Sequence, residues 1–553
     1  MSPVRRVAAH WLSLLPRKSD YAGLRKSWKI DLTSGVTVGI VALPLALGFG
    51  ISSGVGAEAG LITAIVAGLI AAVFGGSNVQ VTGPTGAMVV VLAPIVASHG
   101  LGAVAAVTLM GGIIVAAAGM LKLGRLVSVI PWPVIEGFTL GIAIIIFMQQ
   151  VPALTAPDAG GAGEANVVVT AVESVLEADP AYLLWSLVIV AIVVACTEVF
   201  RRIHPAIPGS LIAVVVSTLV ALVLPAALTT IGALPNTLPA PSLPQLDLAT
   251  MTSLLGPAFA VAALAAIESL LSARVAASMA DTGPYDPDRE LLGQGLASIG
   301  ASFFGGMPAT GAIARTAVNV RAGAKTRVAA ATHAVLLLLV VLVLATPVSF
   351  IPVAALSGVL MVTAVRMVNR HVLKIIFRST RGDALAFVIT AIVTVSVDLI
   401  VAVVIGVVVA GIIALWHLAR TIGVRREPLP GPATAGDERI GLFVIDGPLI
   451  FASAEQVLDE VLATRDVSVV ILRMSRIDQL DATGAHALEE LVHRLEKSGI
   501  TVIIKGVQAQ HRQLFERVGV LDALRHENHL YTELEDAVAH ARSHVARERG
   551  VAG

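Results

Sequence analysis

Two interruptions in otherwise apolar sequence are the places where this chain could do chemistry. The first runs Phe74-Gly-Gly-Ser-Asn-Val-Gln-Val-Thr-Gly-Pro-Thr-Gly-Ala-Met88, the second Phe304-Gly-Gly-Met-Pro-Ala-Thr-Gly-Ala-Ile-Ala-Arg315. Each opens Phe-Gly-Gly, reaches Thr-Gly and enters a short apolar stretch, and neither carries a charge before Arg315. A helix starting there has unpaired backbone N–H groups in its first turn and about half a positive charge from aligned peptide dipoles. Two such starts facing each other hold an anion without a lysine. The candidate donors are Thr85, Gly86 and Ala87 after Pro84, and Ala312, Ile313 and Ala314 after Gly311. Thr85 could also cap its helix through the hydroxyl. The plainer reading is a pair of surface loops, but both segments sit inside apolar sequence.

Two ionisable residues join them. Arg315 stands beside the second helix start. A charge at membrane depth faces a cavity or a partner, unless the long side chain snorkels to the nearer surface. Glu268 is the lone charge in the stretch Ala258–Ser272. An intramembrane carboxylate is a functional candidate by default: burial favours its neutral form and a nearby arginine its charged form. It could take up a proton during transport or serve as counter-ion to Arg315. The structural alternative is a glutamate bonded to a backbone gap. Glu136 and Glu198 read as interfacial, and His333 and Asp398 as lying near span ends.

The elements that must position these residues are membrane helices. Of the 553 residues, 56% are hydrophobic and 14% charged, and the mean hydropathy is +0.86; soluble chains carry about 25% charge. From residue 31 to about 420, apolar runs follow one another, with room for about fourteen spans at about 28 residues each. Lysines and arginines cluster at Lys122/Arg125, Arg201/Arg202, Arg321/Lys325/Arg327, Arg366–Arg381 and Arg420–Arg426. The loops between are free of them, one acidic (Asp158–Asp179) and one proline-rich (Ala226–Leu248). Cytoplasmic loops collect Lys and Arg, so both termini are expected inside the cell membrane. Residues 1–30 are basic, lack a cleavable signal pattern and read as a cytoplasmic arm. Matched Gly/Pro-broken segments in two halves of a chain mark an inverted-repeat transporter. The domains expected are an arm (1–30), a transmembrane transport domain (31–424), a linker (425–436) and a cytoplasmic domain (437–553).

The motifs resemble those of the SulP anion transporters, the family that includes solute carrier family twenty-six. The resemblance rests on Asp31–Gly54 (DLTSGVTVGIVALPLALGFGISSG), Val81–Met88 (VTGPTGAM), Ile267–Ala273 (IESLLSA) and Gly311–Asn319 (GAIARTAVN), and it covers nearly the whole chain. It implies a seven-plus-seven inverted repeat of the uracil-permease type, a core and a gate domain, and elevator-like alternating access. The anion would sit between the two half-helix starts, beside Ala46 and Phe49 of the first span, with Thr85–Ala87, Glu268 and Ala312–Arg315. A homodimer is implied. The departures are informative. Many members have Pro-Gln-(Ala/Ser) where this chain has Pro44-Leu45-Ala46, and a serine where Ala314 stands. Sodium-coupled bicarbonate members have aspartate in place of Glu268 and threonine in place of Ile313. An apolar, backbone-based site suits bicarbonate or a small dicarboxylate such as fumarate and leaves sulfate open. Proton-coupled symport through Glu268 is the favoured reading over sodium coupling.

After Arg439, strands and helices alternate. Val467–Met474 and Ile500–Val507 read as buried strands, and Asp481–Glu496 as a helix with one apolar face. This is a small α/β domain, similar to STAS domains. Asp481-Ala-Thr-Gly484 resembles the STAS loop in which a phosphorylated serine takes the place of Thr483, a weak regulatory candidate. The plain reading is an N-cap by Asp481 or Thr483. The sequence shows no nucleophile–base pair, cofactor motif or zinc-ligand cluster, and a net charge of zero predicts no nucleic-acid partner. A nucleobase permease of the same fold would use Glu268 but leaves Arg315 and the C-terminal domain unexplained. A membrane-anchored STAS signalling protein needs no paired broken helices. A channel would differ from a carrier in showing neither flux saturation nor counterflow.

Overall fold

The computed structural model describes residues 11–550, apart from 18–19, 21–22, 126–129, 157–165, 204–207, 224–227, 245–247, 280–282, 284, 398, 421–422, 451–453, 464–465 and 549. Asp398 and part of the acidic loop therefore lie outside the described residues. The chain divides into two units, Met1–Val407 and Val408–Gly553.

In the first unit the same order of elements occurs twice. Helices α1 (Leu24–Ser52) and α2 (Ala57–Phe74) lead into a two-residue strand β1 (Thr82–Gly83) and a short helix α3 (Gly86–His99). Helices α4 (Leu248–Met279) and α5 (Pro287–Phe303) lead into β2 (Thr310–Gly311) and α6 (Ile313–Arg321). Helices α3 and α6 have 14 and 9 residues, or about 21 and 14 Å, so each covers only part of a hydrocarbon core about 30 Å thick. Small residues allow the close packing around them. A Cβ on Gly60 of α2 would strike the Ala46 backbone carbonyl of α1, which is why those helices approach so tightly there.

The helices fall into two packed groups. Helix Gly102–Met120 lies against α4 and α5, and helix Val328–Ser349 against α1 and α2. Separately, Arg381–Ser396 packs on Trp132–Gln149, and Val353–Met367 on Trp132–Gln149 and Pro180–Ile203, which Gly209–Val223 also meets. Among the described residues, eight helices are long and apolar enough to cross a membrane. Large apolar side chains such as Leu219, Leu222 and Val343 point outward, as lipid-facing residues do. The chain is membrane-spanning.

The second unit holds a five-stranded sheet in the order β3 (Gly423–Glu427), β4 (Ile440–Asp446), β5 (Val469–Arg476), β6 (Thr501–Lys505), β7 (Leu530–Tyr531). Strand β3 is antiparallel to β4, and the other pairings are parallel. Parallel strands are buried on both faces. Val470 and Leu472 accordingly face a cluster with Leu488, Leu491 and Val492 of helix α7 (Ala482–Lys497), whereas Val469 and Ile471 face Ala537, Val538 and Ala541 of helix α8 (Leu534–Glu548). The sheet begins at Gly423, just before the segment expected as a linker, and its first strand runs into that segment. Val424 is buried while Arg425 and Arg426 are exposed, so the strand is a charged edge whose arginines hide it from a hydropathy reading.

Candidate functional site

The two broken segments meet. Strands β1 and β2 pair antiparallel, Thr82 with Gly311 and Gly83 with Thr310. The Ala312 N–H donates to the Val81 carbonyl at 2.9 Å. Helices α3 and α6 begin immediately after this crossing, with Thr85 and Ala312 as extended N-cap residues. Neither cap residue satisfies its helix start with a side chain, so first-turn N–H groups on both sides remain available to a ligand. The expected hydroxyl cap by Thr85 is absent because that hydroxyl is spent elsewhere.

It is spent on Glu268. The Thr85 and Thr310 hydroxyls each donate to Glu268 Oε2 at 2.7 Å, and their oxygens are 3.1 Å apart. No described residue donates to Oε1 of that carboxylate. Ser269, next in α4, accepts from Gly311 N–H through its hydroxyl at 3.0 Å and from Gln80 Nε2 through its carbonyl at 3.2 Å. One turn of α4 thus grips both broken segments. Beyond it, Thr316 Oγ1 accepts from Val81 N–H at 3.0 Å, Asn319 donates to the Val79 carbonyl at 2.8 Å, and Gln294 donates to Thr82 Oγ1 at 2.7 Å. Backbone that breaks its own helix in an apolar setting must find partners elsewhere; these side chains supply them.

Arg315 does not snorkel: it is 2% exposed. Its Nη2 donates to the Pro84 carbonyl, on the other broken segment. A Cβ on Gly83 would lie 2.6 Å from Nη1, so the glycine leaves the passage that the guanidinium uses. Nη1 has no hydrogen-bond partner among the described residues. Arg315 and Glu268 interact electrostatically, and the carboxylate is held by two hydroxyls rather than by a direct ion pair, which was one of the alternatives the sequence left open. Arg315 staples the segments and leaves one buried donor over.

The remaining expected residues divide. Phe49 reaches Gly86, where an added Cβ would lie 3.2 Å from its ring, so it stands at the start of α3. Ile313 is half-buried and Ala314 exposed, which leaves the start of α6 open on one side. Ala46 and Ala87 are buried in the apolar core, and Ala46 faces α2 through Gly60. His333, expected near a span end, is fully buried within Val328–Ser349 opposite Gly68. Glu136 accepts from Trp132 at 3.0 Å, and Glu198 pairs with Arg201 and Arg202. Thr310 was the omission: it lies in the Thr-Gly shared by both broken segments, so the repeat itself was its signal.

A model described as the sulfate permease family matches residues 28–390, more than half of the chain. The chain belongs to the sulfate permease family. A STAS domain model matches residues 431–537. Among sulfate permease relatives, YvdB of Bacillus subtilis is 34% identical over 503 residues, 89% of this chain and 93% of that protein. The bicarbonate transporter BicA of Synechocystis is 31% identical over 539 residues, 92% of this chain and 94% of BicA. The solved transmembrane domain of a cyanobacterial BicA superposes with a TM-score of 0.60 at 30% identity, over 70% of this chain and 98% of that one. The structure of SLC26A9 superposes with a TM-score of 0.80 at 19% identity, covering 100% of this chain and 96% of its own, which establishes a shared fold. As a member of the sulfate permease family the chain is an anion transporter and not an enzyme.

Proposed function

We propose that the chain carries a small anion, bicarbonate or a small dicarboxylate ahead of sulfate, by proton-coupled symport. The observation that carries this reading is the antiparallel pairing of Thr82–Gly83 with Thr310–Gly311, which brings two electropositive helix starts to one place. The anion rests on N–H groups of Thr85–Ala87 and of Ile313 and Ala314, the Ala312 N–H, expected to join them, being taken by the Val81 carbonyl, with Phe49 as the apolar wall and Arg315 as the fixed positive charge. Glu268 takes the proton on Oε1, the oxygen left unbonded, and the Thr85 and Thr310 hydroxyls orient the other. One proton balances the charge of a monovalent anion such as bicarbonate, whereas a dicarboxylate or sulfate entering with one proton carries one negative charge over. Elevator movement fits the division into two packed groups of helices, because the half-helices, α1, α4 and α5 could travel as one block. The positive-inside pattern of lysines and arginines supports a cytoplasmic location for both termini.

One observation favours a second coupling ion. Thr85 Oγ1, Thr310 Oγ1 and Glu268 Oε2 lie 2.7–3.1 Å apart, and a set of hard oxygens also suits sodium. Uptake of bicarbonate, fumarate and sulfate into proteoliposomes, each with a proton or a sodium gradient, decides among these. The expected result is saturable carboxylate uptake driven by the proton gradient, with Glu268→Gln losing the proton dependence while keeping its thermal stability. Sodium-driven uptake, or unchanged proton dependence in the variant, rejects the coupling proposed.

A further inference from the structure

The C-terminal domain gathers histidines that no part of the transport reading uses. The segment His526-Glu-Asn-His529 precedes β7, and His540 and His544 lie one helical turn apart on α8. Residues four apart share a helix face. From the sequence no zinc-ligand cluster is expected, because the spacing of eleven residues between His529 and His540 matches no compact motif. The fold closes that gap by laying α8 beside β7. One ligand nitrogen from each of His529, His540 and His544 then lies within 4.8 Å of the others.

The geometry points to a zinc site formed by His529, His540 and His544, which ties the last helix of the domain to the turn before its edge strand. His540 Nε2 and His544 Nε2 are 3.2 Å apart. Two nitrogens bound to one tetrahedral zinc at about 2.0–2.1 Å stand about 3.3 Å from each other. The His529 ring is 1% exposed and its Nδ1 has no hydrogen-bond partner among the described residues, and the Val502 backbone engages the ring. A ligating histidine keeps one nitrogen free for the metal while a neighbouring group holds the ring. A buried nitrogen without a partner is costly in a finished core, and a cation removes that cost. His540 and His544 are only half-buried, so their rings can turn to close the remaining distance. The His526 ring, 5.6 Å from His529, stands near the fourth position, which otherwise takes water.

Neutral imidazole is the ligating form. Of the charged neighbours, Arg547 and Arg525 oppose a cation, while Glu548 favours it; Arg525 is paired with Glu496 and Glu548 with Arg439. A borderline ion with a preference for imidazole, Zn²⁺ first and Cu²⁺ or Ni²⁺ as competitors, fits this set.

The test uses the full chain in detergent with any affinity tag removed and bound metal stripped by chelation. Zinc chloride is then added, bound zinc is counted by mass spectrometry after gel filtration, and affinity is read by competition with a chromophoric chelator. The expected result is one zinc per chain, a rise in the unfolding temperature on adding zinc, and a tetrahedral absorption spectrum with Co²⁺. His544→Gln and His540→Gln, at half-exposed positions that tolerate the change, are expected to weaken binding by at least about 100-fold; His493→Gln on the exposed face of α7 is expected to change nothing. Absence of stoichiometric zinc, or equal binding by wild type and both variants, overturns the site and leaves a hydrogen-bonded cluster of neutral rings. Neither outcome depends on which anion the membrane unit carries.

Discussion

The crossing of the broken helices and the C-terminal α/β domain use polar groups in opposite ways. At the crossing, Thr85, Thr310, Arg315, Thr316 and Asn319 are all buried, and each bonds across to another segment. In the α/β domain, Val470, Leu472, Leu488 and Leu491 form a dry apolar centre, and most ion pairs, such as Arg542 with Asp437, lie toward the surface. The physical reason is backbone. Sheet and helix satisfy their own N–H and C=O groups, so the α/β core needs no polar side chains. Two interrupted helices leave backbone groups open inside an apolar environment, and side chains must fill the deficit that the ligand does not. A polar deletion is therefore expected to be costly in one region and mild in the other.

Three substitutions grade that contrast. The largest effect is expected for Arg315→Ala, which removes a buried charge-assisted bond to the Pro84 carbonyl and the positive charge near the anion. A loss of about 1.5–3 kcal/mol, or roughly 10- to 150-fold in anion affinity, should appear as a raised half-saturation for uptake, partly restored by Arg315→Lys. Unaltered affinity would make the arginine purely a staple. Next is Thr310→Val, which takes one of two donors from Glu268. A cost near 1 kcal/mol, roughly fivefold, is expected, together with a shifted pH profile of uptake; a profile identical to wild type would separate Thr310 from the coupling step.

The smallest effect is expected for Asp437→Asn. Hydrogen bonds from Arg542, aided by those from Thr434, lower the Asp437 pKa from 3.8 to about 2. A depressed carboxylate stabilises the fold above its unfolded pKa, and that contribution is lost as pH falls through the folded one. The variant should therefore cost less than about 1 kcal/mol at neutral pH. The gap from wild type, followed by thermal unfolding of the full chain, should close between about pH 4 and pH 2. A gap that stays constant with pH would show that the pair contributes through packing instead.

Much of the architecture was legible in advance for a simple reason. Hydropathy, the spacing of lysines and arginines, and Gly/Pro interruptions are local properties, and a bilayer converts them directly into helices and breaks. The Phe-Gly-Gly…Thr-Gly repeat marked both half-helices, and the isolation of Glu268 marked it as a candidate. Strand β3 escaped because edge strands carry charge, and the burial of His333 escaped because an apolar run does not say which face turns inward.

By itself, then, the sequence determined that this is a polytopic anion transporter with two broken helices and an α/β tail, because those features are written within windows of a few tens of residues. Only the tertiary structure decided the partners: Thr310 with Thr85 on one carboxylate oxygen, Arg315 on the opposite segment's carbonyl, and three histidines brought around one point. Those contacts join residues up to 231 positions apart. They follow from how backbone left open by one element is closed by another, which no local pattern encodes.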